Sequence, residues 1–153
     1  MKIAPPTAHE AARLKALYDY EILDTETETI FDDLTQLAAQ ICDAPITLIS
    51  LIDPNRQWFK SKVGIDTEET IMDMAFCAHA IHQKEIFEVP DTLQDKRFFD
   101  NPLVTSAPNI RFYAGTPLVS PDGHTIGTLC VIDDKPNKLT KEQRQALEVL
   151  GRS

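Results

Sequence analysis

The sequence predicts an α+β fold in which helices cover one face of an antiparallel sheet. Three observations support this prediction: apolar residues at helical spacing near both ends of the chain, apolar runs of strand length between them, and tight turns between successive strands. Strands joined by tight turns pair antiparallel, and helices from both ends of the chain can pack on the same side of the sheet. With 153 residues, the chain suits one domain with a sizeable core.

The composition is that of a soluble globular protein, with 42% hydrophobic and 25% charged residues. A formal net charge of −9 repels phosphate backbones and anionic lipids, so we expect no nucleic-acid binding and no membrane contact by this segment. No apolar run approaches the ~18 residues of a membrane-spanning helix. The first residues lack the apolar core of a signal peptide. These features predict a cytoplasmic protein.

Helix starts are indicated by three segments with the capping-box pattern Ser/Thr-x-x-Glu/Gln. They are Thr7 with Glu10, Thr25 with Glu28, and Thr140 with Gln143. Apolar residues at helical spacing follow each segment. This pattern predicts helices over residues 7–18 and 26–41, and a third helix that is still running where the chain stops.

The central part of the chain changes to the pattern of strands. Residues 46–52 are almost continuously apolar, which is typical of a strand covered on both faces. A turn at residues 53–55 leads to a partner strand over residues 56–63. Residues 86–91 predict a brief strand that ends near Pro90.

Residues 112–133 predict a hairpin with a tight Pro-Asp-Gly turn. The turn position pairs Val119 with His124 and Tyr113 with Cys130, and side chains then alternate between the two faces. The face expected to pack on the helices carries Phe112, Ala114, Leu118, Leu129 and Val131. The opposite face carries Arg111, Tyr113, Gly115, Thr128 and Cys130. The small residues on this opposite face leave space above the sheet.

That space predicts a small-molecule site. Residues 64–109 are irregular apart from a short helix over residues 76–82 and the brief strand over residues 86–91, and they are long enough to roof the sheet. A roofed concave surface with a few polar groups is what such a site requires. We expect ligand contacts from Trp58, Phe76, Cys77, His79, Arg97, Arg111, Tyr113 and Cys130.

Two of these residues, Arg97 and Arg111, have two interpretations. An arginine in apolar surroundings requires a carboxylate or phosphate partner. The partner is either an internal carboxylate, with Asp91, Asp95 and Asp133 as candidates, or an anionic group on a ligand. The sequence leaves both interpretations open.

The cysteines do not indicate a disulfide framework or a metal centre. There are three of them, Cys42, Cys77 and Cys130, at wide spacing. Cys77 and His79 are too few ligands for a structural zinc site, which needs four. We therefore expect no metal, and the sequence assigns no cofactor and no catalytic residue.

The sequence resembles a GAF domain, the small-molecule sensor module of bacterial signalling proteins, in "ITLISLIDPNRQWFKSKVGI", "FCAHAI", "DKRFFDNPLV" and "IRFYAGTPLVSPDGHTIGTLCVID". The resemblance covers roughly residues 25–150. It implies a sheet of five or six strands, with terminal helices on one face and a ligand pocket on the other. Residues 1–24 look like the helical lead-in found before such domains in sensor histidine kinases and diguanylate cyclases, which leaves residues 25–153 as the GAF domain.

The resemblance implies regulation rather than catalysis. Occupancy by an unidentified small molecule would pass to a C-terminal output domain, such as the kinase of a two-component system or a diguanylate cyclase. The cysteine–histidine motif of bilin-binding members is absent, and so is the Asn-Lys-x-Asp-like pattern of members that bind cyclic nucleotides. The ligand therefore stays unnamed.

The resemblance also implies a parallel homodimer built on the N- and C-terminal helices, in a protein that continues past Ser153. In the first predicted helix, Leu14, Leu17 and Tyr18 need a partner surface. Terminal helices of the family pair across a two-fold axis, which would supply that surface.

Two other functions stay open. One branch of the family reduces free methionine sulfoxide with cysteine chemistry, for which Cys77 and Cys130 would have to come together. The second alternative is a ligandless module that only dimerises and spaces other domains. A side-chain-filled space over the sheet would favour that second alternative.

Overall fold

The computed structural model describes residues 3–71 and 76–152, and in these residues six strands form one antiparallel sheet with the order β3-β2-β1-β6-β5-β4. The strands are β1 (Ile46–Ile52), β2 (Arg56–Val63), β3 (Glu69–Ile71), β4 (Phe87–Val89), β5 (Phe112–Val119) and β6 (Thr125–Asp133). The helices are α1 (Glu10–Asp19), α2 (Thr29–Cys42), α3 (Cys77–Ala80), α4 (Pro102–Thr105) and α5 (Lys141–Gly151). The predicted α+β fold is confirmed, although β3 lies where the sequence predicted irregular chain. In the described part of the chain, no helix combines the length and the hydropathy needed to cross a membrane.

The central strands β1 and β6 are buried on both faces. Every residue of β1 is buried, as its continuous apolar run predicted. Its side chains alternate: Leu48 packs on one face of the sheet and Ile49 on the other. The two strands approach closely because Gly127 has no side chain, and a Cβ atom there would lie 1.9 Å from the Ser50 carbonyl oxygen.

One sheet face, called here the helix face, is covered by α2 and α5. Its core contains Ala38, Cys42, Ile49, Ile86, Phe112, Ala114, Leu129, Val131, Leu139 and Leu147. The capping box predicted for the last helix is confirmed, because Thr140 and Gln143 each accept a hydrogen bond from the other's backbone N–H. This cap fixes the residue at which α5 begins.

The other two predicted capping boxes do not cap their helices. α1 begins at Glu10, and the carboxylate of Glu10 accepts hydrogen bonds from Thr7, which lies outside the helix. α2 begins at Thr29, because the Thr25 hydroxyl instead accepts a hydrogen bond from Lys60 on β2. A long-range contact has replaced the local one.

The opposite face, called here the roofed face, is covered by α3 and by the chain that follows it up to residue 110. Its core contains Ile46, Leu48, Ile52, Phe59, Phe76, Cys77, Ala80, Ile81, Phe87, Val89, Phe98, Val104, Ile110, Tyr113, Cys130 and Ile132. The expected short helix is present as α3, although it is shorter than the predicted range 76–82. The predicted roof over the sheet is therefore confirmed.

The hairpin of β5 and β6 has the predicted faces but not the predicted pairing. Its turn is confirmed by the hydrogen bond from the Gly123 N–H to the Ser120 carbonyl (2.9 Å). Val119 pairs with Thr125 instead of His124, and an irregularity between Leu118 and Val119 adds a second residue, so Tyr113 pairs with Ile132 instead of Cys130. The displacement equals two residues, and side chains repeat every two residues, so each side chain keeps its face.

The lead-in helix α1 packs on the same domain. Leu17 is fully buried, and it shares a small core with Leu51, Trp58 and Ile126. Leu17 was expected to need a partner surface, and this expectation was wrong for that residue. Tyr18 stays half exposed.

A buried guanidinium fixes α1 to the sheet. Arg13 is 2% exposed, and it donates to the Ile52 carbonyl at 2.8 Å and pairs with the Glu10 carboxylate at 2.6 Å. The hydrogen bonds from Arg13 lower the pKa of Glu10 to about 2. Burying an arginine without these partners would cost several kcal/mol, so α1 has one favourable position.

A second buried cation fixes the segment between α1 and α2. The Lys60 side chain is fully buried, with its ammonium group 2.7 Å from the Glu28 carboxylate. It also donates to the Thr25 hydroxyl and the Glu26 carbonyl, both at 2.6 Å. These contacts complete the three donors of the ammonium group, and they tie residues 25–28 to β2.

Gly127→Ala should lower the free energy of unfolding by about 3 kcal/mol. The added Cβ atom would lie 1.9 Å from the Ser50 oxygen, so β1 and β6 would have to separate. In the matched control, Gly123→Ala, no atom lies within 4 Å of the Cβ position and only the φ angle of +87° is unfavourable, which costs about 1 kcal/mol. Urea unfolding measures both values. Equal losses would contradict the close approach of the two strands.

Candidate functional site

An aromatic cluster forms the roof over β5. The rings of Phe76 and Phe98 stack with centroids 4.2 Å apart and planes 9° apart. His79 meets the Phe98 ring edge-on at 4.9 Å, and Phe87 and Tyr113 lie 6.1 Å from each other. Because these rings fill the space above the sheet, the roofed face is closed by side chains at this point.

Arg97 lies on the outer side of this aromatic cluster. Its guanidinium carbon is 4.8 Å from the centroid of Phe87 and 5.2 Å from that of Phe98, close enough for cation–π attraction. It pairs with the Asp95 carboxylate at 2.7 Å, and the hydrogen bond from Arg97 lowers the pKa of Asp95. The internal salt bridge left open by the sequence is therefore present for Arg97. About a third of its side chain stays exposed.

A thiol cluster lies beneath the aromatic cluster, between α3 and β6. The Cys77 sulfur accepts a hydrogen bond from the Thr128 hydroxyl at 2.8 Å and lies 2.9 Å from the Tyr113 hydroxyl. Cys130 lies two positions beyond Thr128 on β6, on the same face of the sheet. All four side chains are at most 1% exposed. Cys77 and Cys130 therefore belong to one buried cluster without bulk water.

The hydrogen bonds change the acidity of the Cys77 thiol. Burial raises its pKa, but hydrogen bonds from Cys130, Thr128, Tyr113 and Ser50 outweigh burial and lower the pKa to about 7. The Ser50 hydroxyl has no hydrogen bond of regular geometry, whereas the hydroxyls of Thr128 and Tyr113 lie 2.8 Å and 2.9 Å from the sulfur. Near neutral pH, Cys77 is the thiol of this cluster that loses its proton.

The neighbouring groups keep their protons. Burial raises the pKa of Cys130 well above its ordinary value, and the hydrogen bond with Cys77 raises it further. Burial also raises the pKa of Tyr113, together with the charge on Cys77. Cys130 and Tyr113 are therefore hydrogen-bond donors to a Cys77 thiolate.

The space predicted at Gly115 is occupied by the Tyr113 side chain. A Cβ atom at Gly115 would lie 2.5 Å from the Tyr113 hydroxyl oxygen. Tyr113 thus lies along its own strand, over Gly115, and reaches Cys77. The small residues of the hairpin give room to this contact.

Two of the eight predicted site residues lie elsewhere. Trp58 packs on the helix face against Leu17 of α1, so its assignment to the site was wrong. Arg111 donates to the carbonyls of Val104 (2.8 Å) and Ile110 (3.1 Å). It braces the end of the roof segment and does not join the aromatic cluster.

The other six predicted residues come together: Phe76, Cys77, His79, Arg97, Tyr113 and Cys130. Sequence reasoning missed Phe87 and Phe98. Phe98 is buried and its neighbour Phe99 is half exposed, although both are phenylalanines and no local pattern separates them. Phe87 lies on a strand of only three residues, which is too short for alternation to assign its face. Thr128 was placed on the correct face by alternation, but its bond to Cys77 depends on the position of α3.

Comparison with known proteins gives one family. A family model for the GAF domain matches residues 26–153. A cyclic di-GMP phosphodiesterase of Pseudomonas aeruginosa is 38% identical over 147 residues, which cover 96% of this chain and 25% of that protein. The chain therefore spans about a quarter of the length of this curated relative.

Solved structures share the fold at lower identity. The blue-light absorbing form of the PixJ GAF domain of Thermosynechococcus elongatus matches with a TM-score of 0.65 and 15% identity, over 90% of this chain and 83% of that chain. The type II free methionine-R-sulfoxide reductase of Thermoplasma acidophilum matches with a TM-score of 0.57 and 14% identity, over 80% of this chain and 89% of that chain. At these identities the likeness shows the fold alone.

Tyr113→Phe should raise the pKa of Cys77 above its value of about 7. The substitution removes a hydroxyl 2.9 Å from the sulfur and keeps the ring, so the thiolate loses one donor without a large change in packing. The ultraviolet absorbance of the thiolate as a function of pH measures this pKa. Tyr18→Phe, on the exposed side of α1, is the control. Identical titrations of Tyr113→Phe and the unsubstituted protein would contradict the role of this hydrogen bond.

Proposed function

The chain belongs to the GAF domain family, and from this membership we propose that it is a small-molecule-sensing regulatory domain of a bacterial signalling protein. The observation that carries the proposal is the roofed face, where six residues singled out from the sequence come together around α3 and β5. This face combines apolar side chains with a few polar groups, the composition of small-molecule sites. Because its own rings fill the space, a ligand has to displace them, and a protein in which they stay in place is the ligandless module. A regulatory domain needs a site of this kind and no catalytic group.

We propose that the ligand is a flat molecule that carries an anionic or carbonyl group. The rings of Phe76 and Phe98 stack on each other. A flat ligand could insert between them and stack on the two ring faces that are now in mutual contact. Arg97 lies over Phe87 and Phe98 with part of its guanidinium in solvent. Its fork can hold two oxygen acceptors of the ligand.

Ligand entry would separate rings that are now in contact. Phe76 immediately precedes α3, and Phe98 belongs to the segment that follows β4. Separation of these rings would move α3 relative to β1, β5 and β6, which α3 contacts. The same strands support α2 and α5 on the helix face. Occupancy would therefore reach the helices through the sheet, as a shift between two arrangements.

We propose that the longer protein containing this domain has a cyclic di-GMP phosphodiesterase as its output. The support is the identity of 38% with such an enzyme over nearly the whole of this chain. The chain matches only a quarter of that enzyme, so the catalytic function would belong to the remainder of the protein. A kinase or a diguanylate cyclase is the alternative output.

We propose a homodimer that uses α2 and α5, which keeps the C-terminal helix of the expected parallel dimer and replaces the first helix by α2. α2 exposes a stripe of apolar residues at a spacing of seven and four positions: Ile30, Leu37 and Ile41. Val149 on the adjacent α5 is also about half exposed. Such a stripe on one side of a helix is the pattern of a helix–helix interface.

Arg97→Met should reduce the amount of retained small molecule by about tenfold, the factor that one lost charge-assisted hydrogen bond corresponds to. Methionine keeps an apolar chain over the Phe87 and Phe98 rings. The measurement is mass spectrometry of small molecules released from the purified native protein. Lys96→Met is the matched control, with the same charge change on an exposed neighbour. Absence of any released ligand from the unsubstituted protein would favour the ligandless dimerisation module.

Leu37→Glu should convert the dimer into a monomer, because it places a charge in the centre of the apolar stripe. Leu93→Glu is the matched control, since Leu93 is exposed to a similar extent, 51% against 45% for Leu37, and lies outside the stripe. Light scattering at high micromolar concentration measures the mass of each variant. A monomeric unsubstituted chain, or a Leu37→Glu chain that still dimerises, would contradict the proposed interface.

A further inference from the structure

The thiol cluster has a property that ligand sensing does not use. Two buried hydroxyls, those of Thr128 and Tyr113, lie 2.8 Å and 2.9 Å from the sulfur of Cys77, and a second thiol, that of Cys130, lies in the same buried cluster. We propose that Cys77 and Cys130 form a peroxide-responsive dithiol, in which Cys77 is the reacting thiol and Cys130 is the resolving thiol. This inference does not depend on the identity of the ligand or of the output domain.

The contrast between the cysteines supports this assignment. Cys42 and Cys77 are both buried, at 3% and 1% exposure. Burial alone raises the pKa of Cys42, whereas Cys77 accepts a hydrogen bond from Thr128 at 2.8 Å and contacts the Tyr113 hydroxyl at 2.9 Å. The thiolate is the nucleophile in thiol chemistry, so the arrangement favours reaction at Cys77.

The position of Cys130 supports its role as the resolving thiol. Cys130 lies on β6 opposite Gly115, and Gly115 is where the Tyr113 side chain passes. Cys130 belongs to the same buried cluster as Cys77 and remains protonated because burial raises its pKa. A sulfur oxidised at Cys77 would therefore have a protonated thiol in the same cluster with which to form a disulfide.

The reaction balances with hydrogen peroxide as the oxidant. The Cys77 thiolate attacks one peroxide oxygen, the O–O bond breaks, and the departing hydroxide takes a proton to become water, which leaves a sulfenic acid. The Cys130 sulfur then attacks the sulfenic sulfur, the S–O bond breaks, and the departing hydroxide combines with the proton released by Cys130. Two thiols and one peroxide thus give one disulfide and two waters.

The disulfide would join the roof to the sheet. Cys77 is the first residue of α3 and directly follows Phe76 of the aromatic cluster, while Cys130 lies in the central strand β6. A covalent bond between them would hold α3 against the sheet. Oxidation and ligand occupancy would therefore act on the same element of the fold.

The test treats the full-length protein with hydrogen peroxide and identifies oxidised peptides by mass spectrometry. We expect a Cys77–Cys130 disulfide to form while Cys42 stays a thiol. Thr128→Val should slow disulfide formation by about tenfold, the factor that one lost hydrogen bond corresponds to. Thr47→Val is the matched control: Thr47 is equally buried in β1, but its hydroxyl has no hydrogen-bond partner, so its loss should leave the rate unchanged.

Three results would overturn the proposal. Oxidation of Cys77 no faster than that of Cys42 would show that the hydrogen bonds confer no reactivity. Accumulation of sulfenic or sulfinic acid at Cys77 without a disulfide would exclude Cys130 as the resolving thiol. Equal rates for Thr128→Val and Thr47→Val would show that the Thr128 contact is only structural.

Discussion

The close pairing of β1 and β6 is the constraint on which the rest of the structure depends. Gly127 permits this pairing, because any side chain there would collide with the Ser50 carbonyl. The two strands form the centre of the sheet and are buried on both faces. Every polar side chain they carry must therefore find a partner inside the protein or stay unsatisfied at a cost. The roof and the helix layer are both built on this pair of strands.

The thiol cluster is one consequence of this constraint. Thr128 of β6 lies opposite Ser50 of β1, so two hydroxyls enter the roofed face at its most buried point. The first turn of α3 brings the Cys77 sulfur to the Thr128 hydroxyl, and Tyr113 supplies a further donor. A sulfur satisfied in this way costs less to bury than an isolated hydroxyl would. The same contacts stabilise the thiolate form, so packing and reactivity have one cause.

Buried cations tie the N-terminal part of the chain to the sheet. Arg13 holds α1 against the end of β1, and Lys60 in the middle of β2 holds the segment before α2. Their binding to backbone carbonyls makes the lead-in a part of the packed structure, even though the family match begins at residue 26. The relative from Pseudomonas aeruginosa matches 96% of the chain, so the similarity includes most of the lead-in.

The sequence by itself determined the features that depend on local periodicity. The two faces of the hairpin, the buried character of β1, the capping box of α5 and the family resemblance followed from spacing and residue type. A two-residue error in the pairing of the hairpin left its faces unchanged, because the side-chain period of a strand is two.

Only the tertiary structure decided which of two similar neighbours enters the site. Trp58 and Phe59 are both apolar, and a bulge opposite Ile49 and Ser50 sets which of them faces the roof. Arg111 precedes β5, so strand alternation does not direct its side chain. Thr25 does not cap a helix as predicted, because its hydroxyl accepts a hydrogen bond from Lys60, a residue 35 positions away in the chain. Contacts of this range depend on how the elements dock, and no local pattern records them.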